Sequence, residues 1–163
     1  RCAKYYTKSH TLTEQLNKTD KIILSHLQVD AALSVGDLAE KVGISKSACW
    51  RRVQKLQQAN VIRSRVTLLN PKAIDLALTV FISVRTNQHN EKWATQFADV
   101  VQNIPGILEV YRMGGELDYL LKAVVKDMAD YDRLYQQLIQ ANLSDVTSNF
   151  VMEEIKFTTA LPL

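Results

Sequence analysis

The chain has 163 residues, room for one ordinary domain or two small ones, and its 47% hydrophobic content is that of a folded soluble protein. Its net charge of +3 is unevenly divided: residues 1–70 hold twelve Lys or Arg against five Asp or Glu, and residues 71–163 hold eight against twelve. The first half therefore suits a polyanion and the second does not. Two cysteines (Cys2, Cys49) and three scattered histidines (His10, His26, His89) offer neither a disulfide framework nor a zinc spacing, and no nucleophile–base pair or phosphate-cradling loop suggests an enzyme.

No apolar run approaches the roughly 20 residues of a membrane span. The basic N-terminus lacks the apolar region of a secretory signal. Few cysteines and no such signal point to the cytoplasm. Residues 1–15 show no periodicity and are expected to be a vector-derived or disordered arm.

The first helix is expected over Lys18–Gln28, with Asn17 as its N-cap and Asp20 in its first turn. Ser34 and Asp37 then form a capping-box-like start, and Leu38, Ala39 and Val42 give the next helix one apolar face. Gly43 ends it, because glycine takes a left-handed backbone without a Cβ clash. Ser45 caps a third helix on which Cys49, Val53 and Leu56 share the buried side. Lys46, Ser47, Trp50, Arg51, Gln54 and Lys55 then point outward. Two helices, a glycine turn and a basic outer face are what a helix-turn-helix needs to enter a DNA major groove.

The candidate DNA contacts follow from chemistry. Arg51 can fork onto guanine O6 and N7 or grip phosphate. Ser45, Lys46 and Ser47 sit at the helix start, within reach of bases or phosphate. Trp50 suits a thymine methyl or a sugar, or packs on a neighbouring helix. Arg52 and Lys55 lie toward the flank, where phosphate is nearer. In VIRSRVTLL, Arg63 and Arg65 alternate with Val66 and Leu68, as in a strand or wing. A merely solvated basic surface is the competing reading.

After Asn70-Pro71 the pattern is strand, helix, strand, strand, helix, strand. The strands are expected at Leu76–Arg85, Ile107–Met113, Tyr119–Val125 and Asp145–Phe157, and the helices at Glu91–Asn103 and Asp127–Ala141. This βαββαβ order is ferredoxin-like, with both helices on one face of an antiparallel sheet. Val80, Ile82, Val84 and Leu120 are expected on the other face, which then implies self-association. The domains are therefore a helix-turn-helix over 16–62, a linker strand over 63–75 and a ferredoxin-like domain over 76–163.

Four stretches together resemble the leucine-responsive regulatory protein/AsnC family of transcription regulators: KTDKIILSHLQVDAALSVGDLAEKVGISKSACWRRVQKLQQANVI, TLLNP, MGGELDYLLKAVVKDM and FVMEEIKFTTALP. The resemblance covers residues 16–163. It implies an α+β architecture, with an N-terminal winged helix-turn-helix followed by a ferredoxin-like ligand-sensing domain. It also implies dimers built through the sheets, often assembled into octamers, with double-stranded DNA and an amino-acid effector as partners and no other cofactor. Trp50 and Lys46 stand where the family usually carries Arg or Leu and often Pro, so no operator sequence is implied.

The effector loop that the resemblance implies comprises Met113, Gly114, Gly115, Glu116, Asp118 and Tyr119. Taken alone, the loop reads first as a plain hairpin, since Gly-Gly loops are common, and it is the resemblance that favours a site whose glycine amides meet a carboxylate while Asp118 or Glu116 meets an ammonium. Thr147, Ser148, Met152 and Glu153 are candidate second-wall residues. Alternation sets Ser148 and Met152 on one face and Thr147 and Glu153 on the other, so one subunit cannot use them all in one wall. The function expected is that of a transcription regulator tuned by a small molecule. An effector-independent nucleoid-architectural protein is the alternative.

Overall fold

The computed structural model describes residues 16–163; the arm expected over residues 1–15 lies outside them. The described residues form two compact units, one of residues 69–155 and one of residues 16–68 together with 156–163. No helix among them is long and apolar enough to cross a membrane.

The helical unit contains α1 (Lys18–Val29), α2 (Val35–Val42) and α3 (Lys46–Gln58). Each starts at a side-chain cap: Asn17 accepts from the Asp20 N–H, Ser34 from Asp37 and Ser45 from Ala48. At α2 the cap is reciprocal, since the Ser34 hydroxyl also donates to the Asp37 carboxylate at 2.7 Å. Gly43, at φ 72°, closes α2, with Ile44 N–H bonded to the Ala39 carbonyl and Gly43 N–H to that of Glu40. Gly43→Ala is expected to cost about 1 kcal/mol for the left-handed backbone, read from a thermal melt, without altering the contacts of α3.

Ile23, Leu24, Leu38, Ala39, Cys49, Val53 and Leu56 make the core of this unit. A fully buried Leu or Ile such as Leu38 or Ile23 contributes about 1.5–3 kcal/mol. Burial also pushes the Cys49 thiol pKa up, so this cysteine is a small protonated core residue.

Among the described residues no strand pairs with residues 63–70 of the linker strand expected over 63–75, and Pro71–Ile74 is a short 3-10 turn. β-branched residues favour extended backbone but supply no partner for its hydrogen bonds.

The sheet unit contains β1 (Leu78–Arg85), α4 (Glu91–Gln102), β2 (Ile107–Arg112), β3 (Tyr119–Val125), α5 (Met128–Leu138) and β4 (Asp145–Phe150). The strands are antiparallel in the order β2-β3-β1-β4, which is the ferredoxin-like topology. The last strand stops short of the expected Phe157. Its final ladder contact, Val151 N–H to the Thr79 carbonyl, lies next to the start of β1, beyond which nothing remains to pair.

Alternation along β1 reverses one expectation. Val80, Ile82 and Val84 are fully buried against α4 and α5, packed with Trp93, Phe97 and Leu138. The uncovered face carries their neighbours. Phe81 and Ser83 on β1 lie opposite Lys122 and Leu120, and Glu109 and Tyr111 on β2 lie opposite the same pair from the other side. Of the four residues expected there, only Leu120 is on that face, and the patch is mixed rather than apolar. The Tyr111 hydroxyl first, then Lys122, holds the Glu109 carboxyl below the usual carboxylate range.

Candidate functional sites

On α3 the buried residues Cys49, Val53 and Leu56 fix which side faces outward. Ser47, Arg51 and Lys55 follow one another at four-residue spacing along the exposed side, and Lys46 and Trp50 form a second row beside them. Trp50 is 54% exposed, so about half of its surface is open on the outer side of α3. Arg63 and Arg65 are exposed in the segment after α3.

Two candidates are otherwise engaged. The Ser45 hydroxyl accepts from the Ala48 N–H at 3.3 Å and lies 3.3 Å from the Ser47 hydroxyl, so it serves the helix cap. Arg52 turns toward α1 and donates to Asp20 at 2.8 Å. Asp20 is only 17% exposed, and the pair joins the first and third helices. Arg52 thus ties α3 to α1, in contrast to its expected role at a flanking phosphate.

In the sheet unit the hairpin between β2 and β3 is closed by Met113 N–H on the Asp118 carbonyl at 2.8 Å. Gly115 has φ 140°, and no atom lies within 4 Å of where a Cβ would stand on it or on Gly114. Glu116 pairs with Arg85. Asp118 is engaged more deeply: its Oδ2 accepts from the buried Thr86 N–H at 2.8 Å, and its Oδ1 lies 4.0 Å from His89 Nδ1. Tyr119 is half-buried, with ring centroids 4.6 Å from Phe97 and 5.7 Å from Trp93.

Around Asp118 opens a cleft of about 350 Å³, lined by His89, Glu91, Trp93, Arg112 and Tyr119 among others. It combines a carboxylate, a guanidinium and an aromatic wall. Asp118 and Tyr119 are the loop residues that reach it. Met113, Gly114, Gly115 and Glu116 are exposed outside it.

The four second-wall candidates are not brought to the cleft. Ser148 points under α5, where its hydroxyl meets that of Tyr131. Thr147 lies on the uncovered sheet face, while Met152, 96% exposed, and Glu153 follow the end of β4. What sequence reasoning missed is the β1–α4 loop carrying His89. Its signal was topological, because β1 and β3 are neighbours in a ferredoxin-like sheet and the end of one lies beside the start of the other.

A glycine-turned helix pair with an exposed basic row, in one chain with an α+β domain that holds a small charged cleft, defines a DNA-binding regulator with a ligand-binding domain. Comparison with known proteins agrees in both halves. Residues 16–63 match the winged helix-turn-helix DNA-binding family, and residues 79–161 match the Lrp/AsnC ligand binding domain. The glutamate uptake regulatory protein of Zymomonas mobilis is 43% identical over 93% of each chain. The crystal structure of an AsnC family transcriptional regulator from Agrobacterium tumefaciens superposes with a TM-score of 0.86 at 48% identity, covering 90% of this chain and 96% of that one. A Neisseria meningitidis transcriptional regulator solved in complex with L-Met gives 0.85 at 36% identity, with the same coverage. The chain belongs to the Lrp/AsnC family of transcription regulators.

Proposed function

We propose that the chain reads operator DNA in the cytoplasm through Lys46, Ser47, Trp50, Arg51 and Lys55, with Arg63 and Arg65 on the phosphate backbone, and that a free amino acid bound at the Asp118 cleft sets its assembly or DNA affinity. The observation that carries the effector half is the cleft itself: Arg112 and Asp118 line one small cavity and offer opposite charges to a zwitterion. His89 and Glu91 stand beside them, and Trp93 and Tyr119 form the apolar wall against which a side chain packs.

The uncovered sheet face, with Phe81, Tyr111 and Leu120, is the surface on which a second copy would dimerise, and octamers would be built from such dimers. A regulator of this kind works by differential binding: an effector shifts assembly or DNA affinity only by its difference in affinity for the two states, typically about 1–3 kcal/mol.

One observation favours the effector-independent architectural reading. Asp118 already has a backbone partner in Thr86, as it would in a plain structural hairpin. Titration calorimetry across the twenty amino acids, with light scattering on the same samples, separates the two. Heat from at least one amino acid, with a change in assembly or DNA affinity, is the expected result. No heat and no change would leave the architectural reading standing, and a mass of 18.5 kDa at micromolar concentration would remove the dimer.

A further inference from the structure

The last eight residues, Lys156–Leu163, follow the sheet unit in the chain yet group with the helical one. The backbone therefore passes between the units twice, at 68–69 and again at 155–156. The second passage ends in a two-point grip. The Gln28 carboxamide, on α1, accepts from the Leu161 N–H at 2.6 Å and donates to the Leu161 carbonyl at 3.1 Å.

The local chemistry suits this grip. In extended backbone the N–H and C=O of one residue point to the same side, and a carboxamide carries an acceptor and a donor side by side. Gln28 thus does for Leu161 what a neighbouring strand would do. Pro162 helps, because a residue before proline is held out of the helical region. A turn just upstream, with Ala160 N–H on the Thr158 hydroxyl at 3.1 Å, presents the segment. Beside the grip lies a groove of about 440 Å³ that Leu24, Leu27 and Ile62 line from the helical side and Leu161 and Leu163 from the tail. Neither hydrophobic core contains a tail residue, so the contact is not needed to complete either core.

We propose that the C-terminus is a self-ligand of the helical unit, gripped through its main chain at Leu161 by Gln28 and closing one wall of this groove with Leu161 and Leu163. The tail is then a second attachment of the DNA-reading unit, made by recognition rather than by continuity of a fold. Site-resolved amide hydrogen exchange on the full chain tests it. Leu161 N–H is expected to exchange at least about tenfold more slowly than in an unstructured peptide, from two hydrogen bonds of ordinary net strength.

Gln28→Ala removes both partners without weakening α1, since alanine is the better helix former. Pro162→Gly leaves Gln28 and the helical wall of the groove intact and frees the tail backbone. Each is expected to return Leu161 to near the unstructured rate while Cys49 and Val53 in α3 keep theirs. An unprotected Leu161 in the unaltered chain, or unchanged protection in both variants, would overturn the proposal. Should Gln28→Ala loosen α3 as well, Pro162→Gly decides.

Discussion

Arg51→Ala is expected to lower operator affinity by about 1–3 kcal/mol and to relax preference at one base pair. Arg51 is exposed on the outer row of α3, one turn beyond Ser47, and the buried Cys49 and Val53 on either side of it hold that row outward. Arg52 is the natural comparison. It has the same chemistry one residue along, but a turn of about 100° sends it back to Asp20.

Arg52→Gln is therefore expected to cost no more than a partly exposed ion pair, about 0–1 kcal/mol of stability, and to leave the salt dependence of DNA binding unchanged. Affinities measured at several salt concentrations, with footprinting against operator variants, distinguish the two. A salt slope that falls by about one on Arg52→Gln would return Arg52 to the phosphates. An unchanged base preference in Arg51→Ala would make Arg51 a backbone contact.

Asp118→Ala is expected to fail twice. The Thr86 N–H is buried and Asp118 accepts from it, so removing the carboxylate leaves a buried donor unpaired at about 1–3 kcal/mol. The cleft also loses the negative charge that the proposed ligand's ammonium would face. Asp118→Asn separates these effects, because an amide oxygen still accepts from Thr86 but carries no charge. Urea melts should show the alanine variant destabilised and the asparagine variant close to the unaltered protein. Calorimetry with the amino acid that gives heat should show binding lost in both. Undiminished heat with Asp118→Asn would place the ammonium elsewhere.

Much of this architecture was legible along the chain, because the signals were local. Asn17, Ser34, Ser45 and Gly43 announce helix ends through their own backbone chemistry, and the 3.6-residue spacing of Cys49, Val53 and Leu56 needs no knowledge of the rest. Distant partners were the failure. Arg52 and Asp20 are 32 residues apart, as are Asp118 and Thr86, and nothing near either member reveals the other.

The strand Leu78–Arg85 concealed its buried side for another reason. Val80, Phe81 and Ile82 are apolar in succession, so alternation was present in the fold but not in the residue types. In the stretch 63–75, Val66 and Leu68 promised a strand, yet extended backbone becomes a strand only beside another. The final strand kept its alternation but lost its length where β1 gave it no further neighbour.

The two hydrophobic cores share no buried residue: one is closed by Ile23, Leu38 and Cys49, the other by Val80, Leu121 and Leu138. Steric constraints on substitution are satisfied separately in each. A lineage can then change what the reading helix recognises while leaving the chemistry of the cleft untouched, or the reverse, without repacking the other half. Substitutions that retune the outer face of α3 and substitutions that retune the cleft can then accumulate independently of one another.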